Sequence, residues 1–332
     1  MSETYLYIGP CADILSRFEA DIVDSIVCDP PYGLKFMNAK WDYAIPTVED
    51  WKAHWQVLKP GGYLLAFAGT RTQHRMACNI EDAGFEIRDS IAWMYGQGMP
   101  KSGGLKPAHE PIIVARKPGK GAKLNIDECR VQASAADRAT VDGRVRVRDG
   151  SSRTNYGEFA RDSANEVMSL PEGGRYPANI IHDGSDVVTA LFPTNNPGCK
   201  PHRVKASAET VDRLQAKGWG FSGCDKVTGY DDGDDLSAAR FFYCAKANKT
   251  DRNEGAEGGN THLTVKPTEL MRYLVRLVTP EGGLVLDGFM GSGSTGKAAV
   301  LEGRDFVGID IDPANVELAA QRIEFARSKC SE

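Results

Sequence analysis

Asp29-Pro30-Pro31-Tyr32 follows directly on the apolar run Ser25-Ile26-Val27-Cys28, which reads as a short buried strand. In an open α/β sheet, residues just past the carboxyl end of a strand stand where ligands bind. Two successive prolines fix φ and remove two backbone donors, so the turn is rigid and presents its carbonyls outward. A carboxylate, a fixed carbonyl and an aromatic ring then converge on one point. That set suits a planar heterocycle bearing an amino group: Asp29 and the Pro30 carbonyl each accept one N–H while Tyr32 stacks on the ring. The plainer reading is a proline-rich turn in which Asp29 caps a backbone N–H.

A second constellation runs from Val285 to Ala298, from strand through a glycine-rich turn into a helix. Gly291 to Lys297 satisfies the pattern G-x-x-x-x-G-K, so a nucleoside-triphosphate loop has to be weighed. That loop needs Ser or Thr next, because the hydroxyl ligates Mg²⁺, and here the next residue is Ala298. Asp310 ends the following strand, a position that suits an acid on a ribose. The loop is therefore expected to cradle a nucleoside without its phosphates. The eight cysteines include no C-x-x-C pair, which disfavours a disulfide framework or a zinc cluster. A Cys199, His202 and Cys224 site is the residual metal reading, and no metal is expected.

Three zones position these groups. Up to about residue 118, apolar runs alternate with helical stretches: strands are expected at 5–8, 24–28, 63–67, 87–93 and 111–115, and helices at 48–58 and 72–83. The last zone, 240–332, returns to this order with helices at 268–278, 295–301 and 314–327 and strands at 283–286 and 306–309. The middle, 119–239, is richer in Gly, Ser, Asn and Arg and weakly periodic. The expected architecture is α/β: one doubly wound, Rossmann-like sheet made by the two outer zones, with the middle inserted as a separate lobe.

The composition, 41% hydrophobic and 26% charged over 332 residues, is that of a globular chain rather than a disordered one. No apolar run reaches the roughly 18 residues of a membrane helix. The start, Met1-Ser2-Glu3-Thr4, does not resemble a secretory leader, so a cytoplasmic location is expected. Net charge is −5, yet residues 116–217 carry 17 Lys and Arg against 13 Asp and Glu. Arg144, Arg146 and Arg148 alternate within that stretch. On a strand they would share a face able to track a phosphate backbone; a charged, solvated edge strand is the alternative.

Taken together, Asp29-Pro30-Pro31-Tyr32 and Asp287-Gly288-Phe289-Met290-Gly291-Ser292-Gly293 resemble the S-adenosylmethionine-dependent amino-methyltransferases of DNA. The tetrapeptide precedes a long insert and then the glycine-rich loop, an order similar to the β class, whose insert is the target-recognition domain. The resemblance extends to Leu58-Lys59-Pro60-Gly61-Gly62, Lys106-Pro107-Ala108-His109-Glu110-Pro111 and Val265-Lys266-Pro267-Thr268, and residues 177–183 and 240–246 look like phage-type members. It implies a catalytic and cofactor domain from 1–118 and 240–332, circularly permuted in motif order, and a DNA-binding insert at 119–239. It further implies catalysis by Asp29, Pro30, Pro31 and Tyr32, and S-adenosylmethionine held by Asp287 at the methionine amino group, Phe289, Gly291, Gly293 and Asp310 on the ribose, with Lys266, Pro267 and Thr268 at the methionine end. The partner it implies is double-stranded DNA, and it is compatible with a homodimer.

Three positions depart from that pattern: Gly288 where proline is usual, Leu263 within His262-Leu263-Thr264 where His-Pro-Thr is usual, and Asp310 where Glu is common. Gly288 is expected to loosen the turn beside the cofactor. Trp41, Tyr43, Trp93 and Tyr95 are expected either to line a base pocket or to sit in the core. An exocyclic amine is unreachable inside a duplex, so the base must flip out. The aspartate of Asp-Pro-Pro-Tyr resembles adenine-N6 enzymes; Ser-Pro-Pro-Tyr is the more usual cytosine-N4 form, which leaves cytosine-N4 as the runner-up. A triphosphatase using Gly291–Lys297, and a DNA binder with a dead cofactor site, are the readings from other classes.

Overall fold

The apolar runs become strands: β1 (Thr4–Ile8), β2 (Val23–Cys28), β3 (Leu58–Phe67), β4 (Glu86–Met94) and β5 (His109–Arg116) before the middle zone. Then come β6 (Arg144–Arg146), β7 (Glu166–Met168), β8 (Ile180–His182), β9 (Arg203–Val204), β10 (Lys226–Val227), β11 (Tyr243–Cys244), β12 (Leu284–Asp287) and β13 (Asp305–Asp310). The main helices are α1 (Cys11–Leu15), α2 (Val48–Val57), α3 (Gln73–Asp82), α4 (Thr268–Val278), α5 (Ser294–Leu301) and α6 (Pro313–Cys330). The computed structural model describes residues 2–35, 40–98, 104–121, 123–135, 138, 144–146, 166–192, 203–204, 226–227, 237–245, 251–256, 259–260, 262 and 264–330.

Nine strands form one sheet in the order β1-β13-β12-β2-β3-β5-β4-β8-β11. Only β5 runs against its neighbours; every other adjacent pair is parallel. From the adjacent pair β2 and β12 the order runs outward both ways, a topological switch point at which a crevice opens beyond the carboxyl ends of the strands. Strand alternation divides the core between two faces. Val27, Leu65 and Phe67 pack with Leu270 and Leu274 of α4, while Ile26, Cys28, Leu64 and Ala66 pack with Trp51, Met76 and Ile80 of α2 and α3. α2 starts at a capping box, with the Asp50 N–H donating to the Thr47 hydroxyl and Asp50 accepting from the Thr47 N–H.

Two details differ from the expected layout. The strand expected at 63–67 begins earlier: β3 starts at Leu58 opposite Val23, takes in Lys59-Pro60-Gly61-Gly62 and carries an irregularity before Tyr63 pairs with Ser25. The chain divides into two compact units, Met1–Ala133 with Pro171–Val188 and Phe242–Glu332, and Ser134–Leu170 with Thr189–Phe241. Residues 119–133 and 171–188, placed by composition with the insert, therefore fold with the sheet. The reason is pairing: Trp93 of β4 sits opposite Ile181 of β8, and the Asn125 side chain donates to the Arg276 and Thr279 carbonyls at 2.8 and 2.7 Å.

Candidate active site

β2 delivers Asp29 to the crevice, and the turn behind it is pinned from one direction. The buried Asp42 carboxylate accepts the N–H groups of Tyr32, Gly33 and Leu34 at 2.7, 2.9 and 3.1 Å, and the Thr72 hydroxyl donates to the Tyr32 carbonyl at 2.7 Å. Asp29 itself is doubly engaged. The Tyr32 hydroxyl donates to its Oδ1 and the Lys266 ammonium to its Oδ2, each at 2.6 Å. Glu110 joins the group, 3.1 Å from the Tyr32 hydroxyl and 3.2 Å from Lys266 Nζ. It arrives because β5 is antiparallel: its first residues lie at the same sheet edge as the last residues of β2 and β3. Burial disfavours the Lys266 charge, but Asp29 and Glu110 outweigh it and hold the ammonium above its ordinary range. Burial and the same two carboxylates push the Tyr32 phenol upward. Tyr95, at the end of β4, is pushed up to about 12 by burial and by Glu110.

One strand away, Asp287 ends β12 in a different setting. Its Oδ1 accepts the Phe289 N–H at 3.0 Å and its Oδ2 the Thr295 hydroxyl at 2.6 Å. Burial pushes this carboxyl up to about 7, against those hydrogen bonds, with Asp29 and Asp310 adding repulsion. The turn that follows needs glycine at Gly291 and Gly293, where φ is +52° and +74°. Asp310 closes the turn, accepting the Gly291 N–H at 2.8 Å on Oδ2 and the Asp312 N–H and Asn315 amide at 2.9 and 3.1 Å on Oδ1. Buried Arg322 of α6 holds the loop from below, donating to the Ser292 carbonyl at 2.6 Å and hydroxyl at 3.0 Å.

Between these ends lies a cavity of about 640 Å³ whose wall includes Asp29, Pro31, Lys266, Asp287, Phe289, Gly291 and Asp310, within the size range of small-molecule sites. Trp41 and His262 stack over it with ring centroids 6.2 Å apart. Of the other residues singled out in the sequence, neither Pro30 nor Tyr32 is on the wall, though Tyr32 bonds to Asp29. Pro267 caps α4, and Thr268 is buried with its N–H and hydroxyl on Asp251. Gly293 leaves room for Ala319, which a Cβ would approach to 2.7 Å. Trp93 is core, 9% exposed. Glu110, Asp42, Arg322 and His54 carry no local sequence signal for the contacts they make.

The phosphate-loop lysine is committed elsewhere. Lys297 is 2% exposed and bonds Asp251 and Glu254, each at 2.7 Å, so its ammonium is neutralised within the fold rather than offered to a phosphate. Among the described residues no cluster of His, Cys, Asp or Glu would hold a metal, six cysteines are free thiols, and no helix is long and apolar enough to cross a membrane. Cys199, His202, Cys224 and Leu263 lie outside the described residues. Arg144 and Arg146 fall on β6, paired antiparallel with β7; Arg148 is outside the described residues.

A family described as DNA methylase matches residues 23–321 of the chain. The Type II methyltransferase M.BglI of Bacillus subtilis is 43% identical, the match covering 95% of this chain and 84% of that protein. The Type II methyltransferase M.HpaI of Haemophilus parainfluenzae is 23% identical over 93% of this chain and 71% of its own length. Among solved structures, the cytosine-N4-specific PvuII DNA methyltransferase shares the fold at a TM-score of 0.51 and 15% identity, covering 97% of this chain and 86% of that one.

Proposed function

The chain belongs to the N6/N4 DNA methylase family, and from that premise we propose that it methylates the N6 amino group of adenine in double-stranded DNA, using S-adenosylmethionine. The observation that carries the reading is the convergence of Asp29 and Asp287 on one cavity from the ends of adjacent parallel strands. The residues present fit the cofactor. Asp287 is a buried carboxylate whose described partners include no cation, suited to an ammonium group. Phe289 offers an apolar wall, and Asp310 keeps acceptor capacity for ribose hydroxyls. S-adenosylmethionine supplies a methyl group activated on a sulfonium.

The remaining work belongs to the chain. A flipped adenine costs a few kcal/mol of lost stacking and pairing, which an aromatic partner offsets. The Tyr32 hydroxyl donates to Asp29 Oδ1. When Tyr32 turns its ring to the base, that oxygen is released to accept an N–H of the amine, while the Pro30 carbonyl accepts the other. Two acceptors on one nitrogen favour a pyramidal amine with its lone pair toward the methyl donor. Lys266 stays on Oδ2 and fixes the carboxylate plane. Holding both reactants at near-attack distance accounts for much of the rate. The methylated nitrogen is strongly acidic, so its proton leaves without a tuned base.

Adenine is favoured over cytosine by Asp29 itself, since cytosine-N4 relatives more usually carry Ser at that position of the motif. Single-molecule sequencing of plasmid DNA from an expressing host, beside an Asp29→Ala control, tests the proposal. N6-methyladenine in a fixed motif, absent from the control, is expected. N4-methylcytosine would keep the mechanism and overturn the base.

A further inference from the structure

We infer that His54 is a positioning residue for the Phe289 wall of the cofactor cavity, and that residue 288 is glycine because the His54 ring occupies its side-chain space. This rests on the cofactor reading above. Gly288 is not held in the left-handed region, unlike Gly291 and Gly293, so nothing in its backbone demands glycine. Space does. A Cβ at 288 would stand 2.1 Å from His54 Nε2 and 2.7 Å from its Cε1.

The ring has nowhere to go. His54 is fully buried on α2, its Nδ1 lies 2.8 Å from the Asp50 carbonyl, and one face stacks on Phe289 at 5.4 Å and 14°. Trp51 closes the group, 5.4 Å from the His54 ring and 5.8 Å from that of Phe289. The Nδ1 contact makes that nitrogen the N–H donor, which leaves Nε2 as a bare acceptor. It has no hydrogen-bond partner and faces the Cα–H of Gly288, a weak contact that only a residue without a side chain leaves open. Burial holds the imidazole below its ordinary range, so it stays neutral. The glycine expected to loosen the turn is thus the socket into which α2, far upstream in the chain, locks the cavity wall.

A double-mutant cycle on the full chain tests this, read by calorimetric titration with S-adenosylhomocysteine. Gly288→Ala is expected to weaken binding about tenfold or more, because the added methyl drives the ring into Phe289. His54→Ala alone is expected to weaken it a few-fold by leaving Phe289 unsupported. The double variant is expected to bind more tightly than Gly288→Ala alone, and the KM for S-adenosylmethionine is expected to follow the same order while the KM for DNA stays constant. Multiplicative losses, or a Gly288→Ala chain that binds like wild type, would overturn the inference. If Gly288→Ala gives no soluble protein, recovery of soluble chain by adding His54→Ala supports the coupling and its failure overturns it. Failure of the wild type to bind S-adenosylhomocysteine would instead sink the cofactor reading.

Discussion

Asp29 and Asp287 end adjacent parallel strands and face one cavity, yet their surroundings are opposite. Asp29 has its counter-charge built in, with Lys266 at 2.6 Å and a phenol at 2.6 Å. Asp287 has a hydroxyl and a backbone N–H, with two further carboxylates nearby that repel its charge. The difference separates a group whose geometry is fixed before any ligand arrives from one whose charge is costly until a ligand brings the cation. On the proposed function, the first arrangement would position the reacting amine and the second would bind the cofactor.

Breaking the Asp29 end should have the largest effect. Asp29→Ala is expected to reduce methyl transfer by about 10³-fold, the scale of losing a preorganised hydrogen-bonding group at a reacting centre, with S-adenosylhomocysteine affinity within two- to threefold of wild type. Lys266→Met removes the cation from between Asp29 and Glu110 and leaves two half-buried carboxylates facing each other. A loss of about 3 kcal/mol in urea-unfolding free energy is expected. An unchanged midpoint would mean that Asp29 does not depend on its built-in partner.

The Asp287 end should respond in the reverse sense. Asp287→Asn is expected to weaken cofactor binding about 100-fold, yet to stabilise the ligand-free chain by about 2 kcal/mol at pH 8, because a buried charge without a counter-ion is removed. The pH dependence follows from a folded-state value of about 7 against about 4 for an unperturbed aspartate. The folded chain keeps this proton through pH 4–7 after the unfolded chain has lost it, so the contribution of Asp287 to stability falls as pH rises across that window and is lowest above it. Affinity for the cationic cofactor runs the other way. It should rise about tenfold per pH unit up to about 7 and then level, a profile that calorimetry from pH 5.5 to 8.5 would reveal and that Asp287→Asn should flatten.

The two carboxylates were legible in the sequence because each sits in a contiguous motif at the end of an apolar strand. The charges around them were not. Glu110 reaches the Tyr32 hydroxyl across 78 residues, through the one antiparallel strand of the sheet, an orientation that no local pattern dictates. Lys266, expected at the methionine end, lines the cavity and also pairs with Asp29, whereas Thr268 faces inward to Asp251. Arg322 and His54 sit on helices whose spacing predicts only a solvated or core face for them. His54 meets Gly288 only once β2 and β12 are neighbours, and Arg322 meets Ser292 only once α6 packs back against the start of α5.

The smallest effect should come from the roof of the cavity, which touches neither carboxylate. Trp41 belongs to the helical turn Lys40–Asp42, and the Asp42 carboxylate ties that turn to the backbone after Tyr32. Its ring stacks on His262, whose own N–H donates to the Asn260 side chain at 2.9 Å. An aromatic pair contributes about 0.5–1.5 kcal/mol beyond the area it covers, and Trp41 is 39% exposed. Trp41→Ala is therefore expected to weaken S-adenosylhomocysteine binding by about two- to tenfold. Because the substitution leaves the environment of Asp287 intact, the pH at which affinity levels should stay near 7 while the whole curve drops. A shifted inflection would mean that the roof tunes the uncompensated carboxylate, and the cavity would then work as one electrostatic unit rather than as two separately built ends.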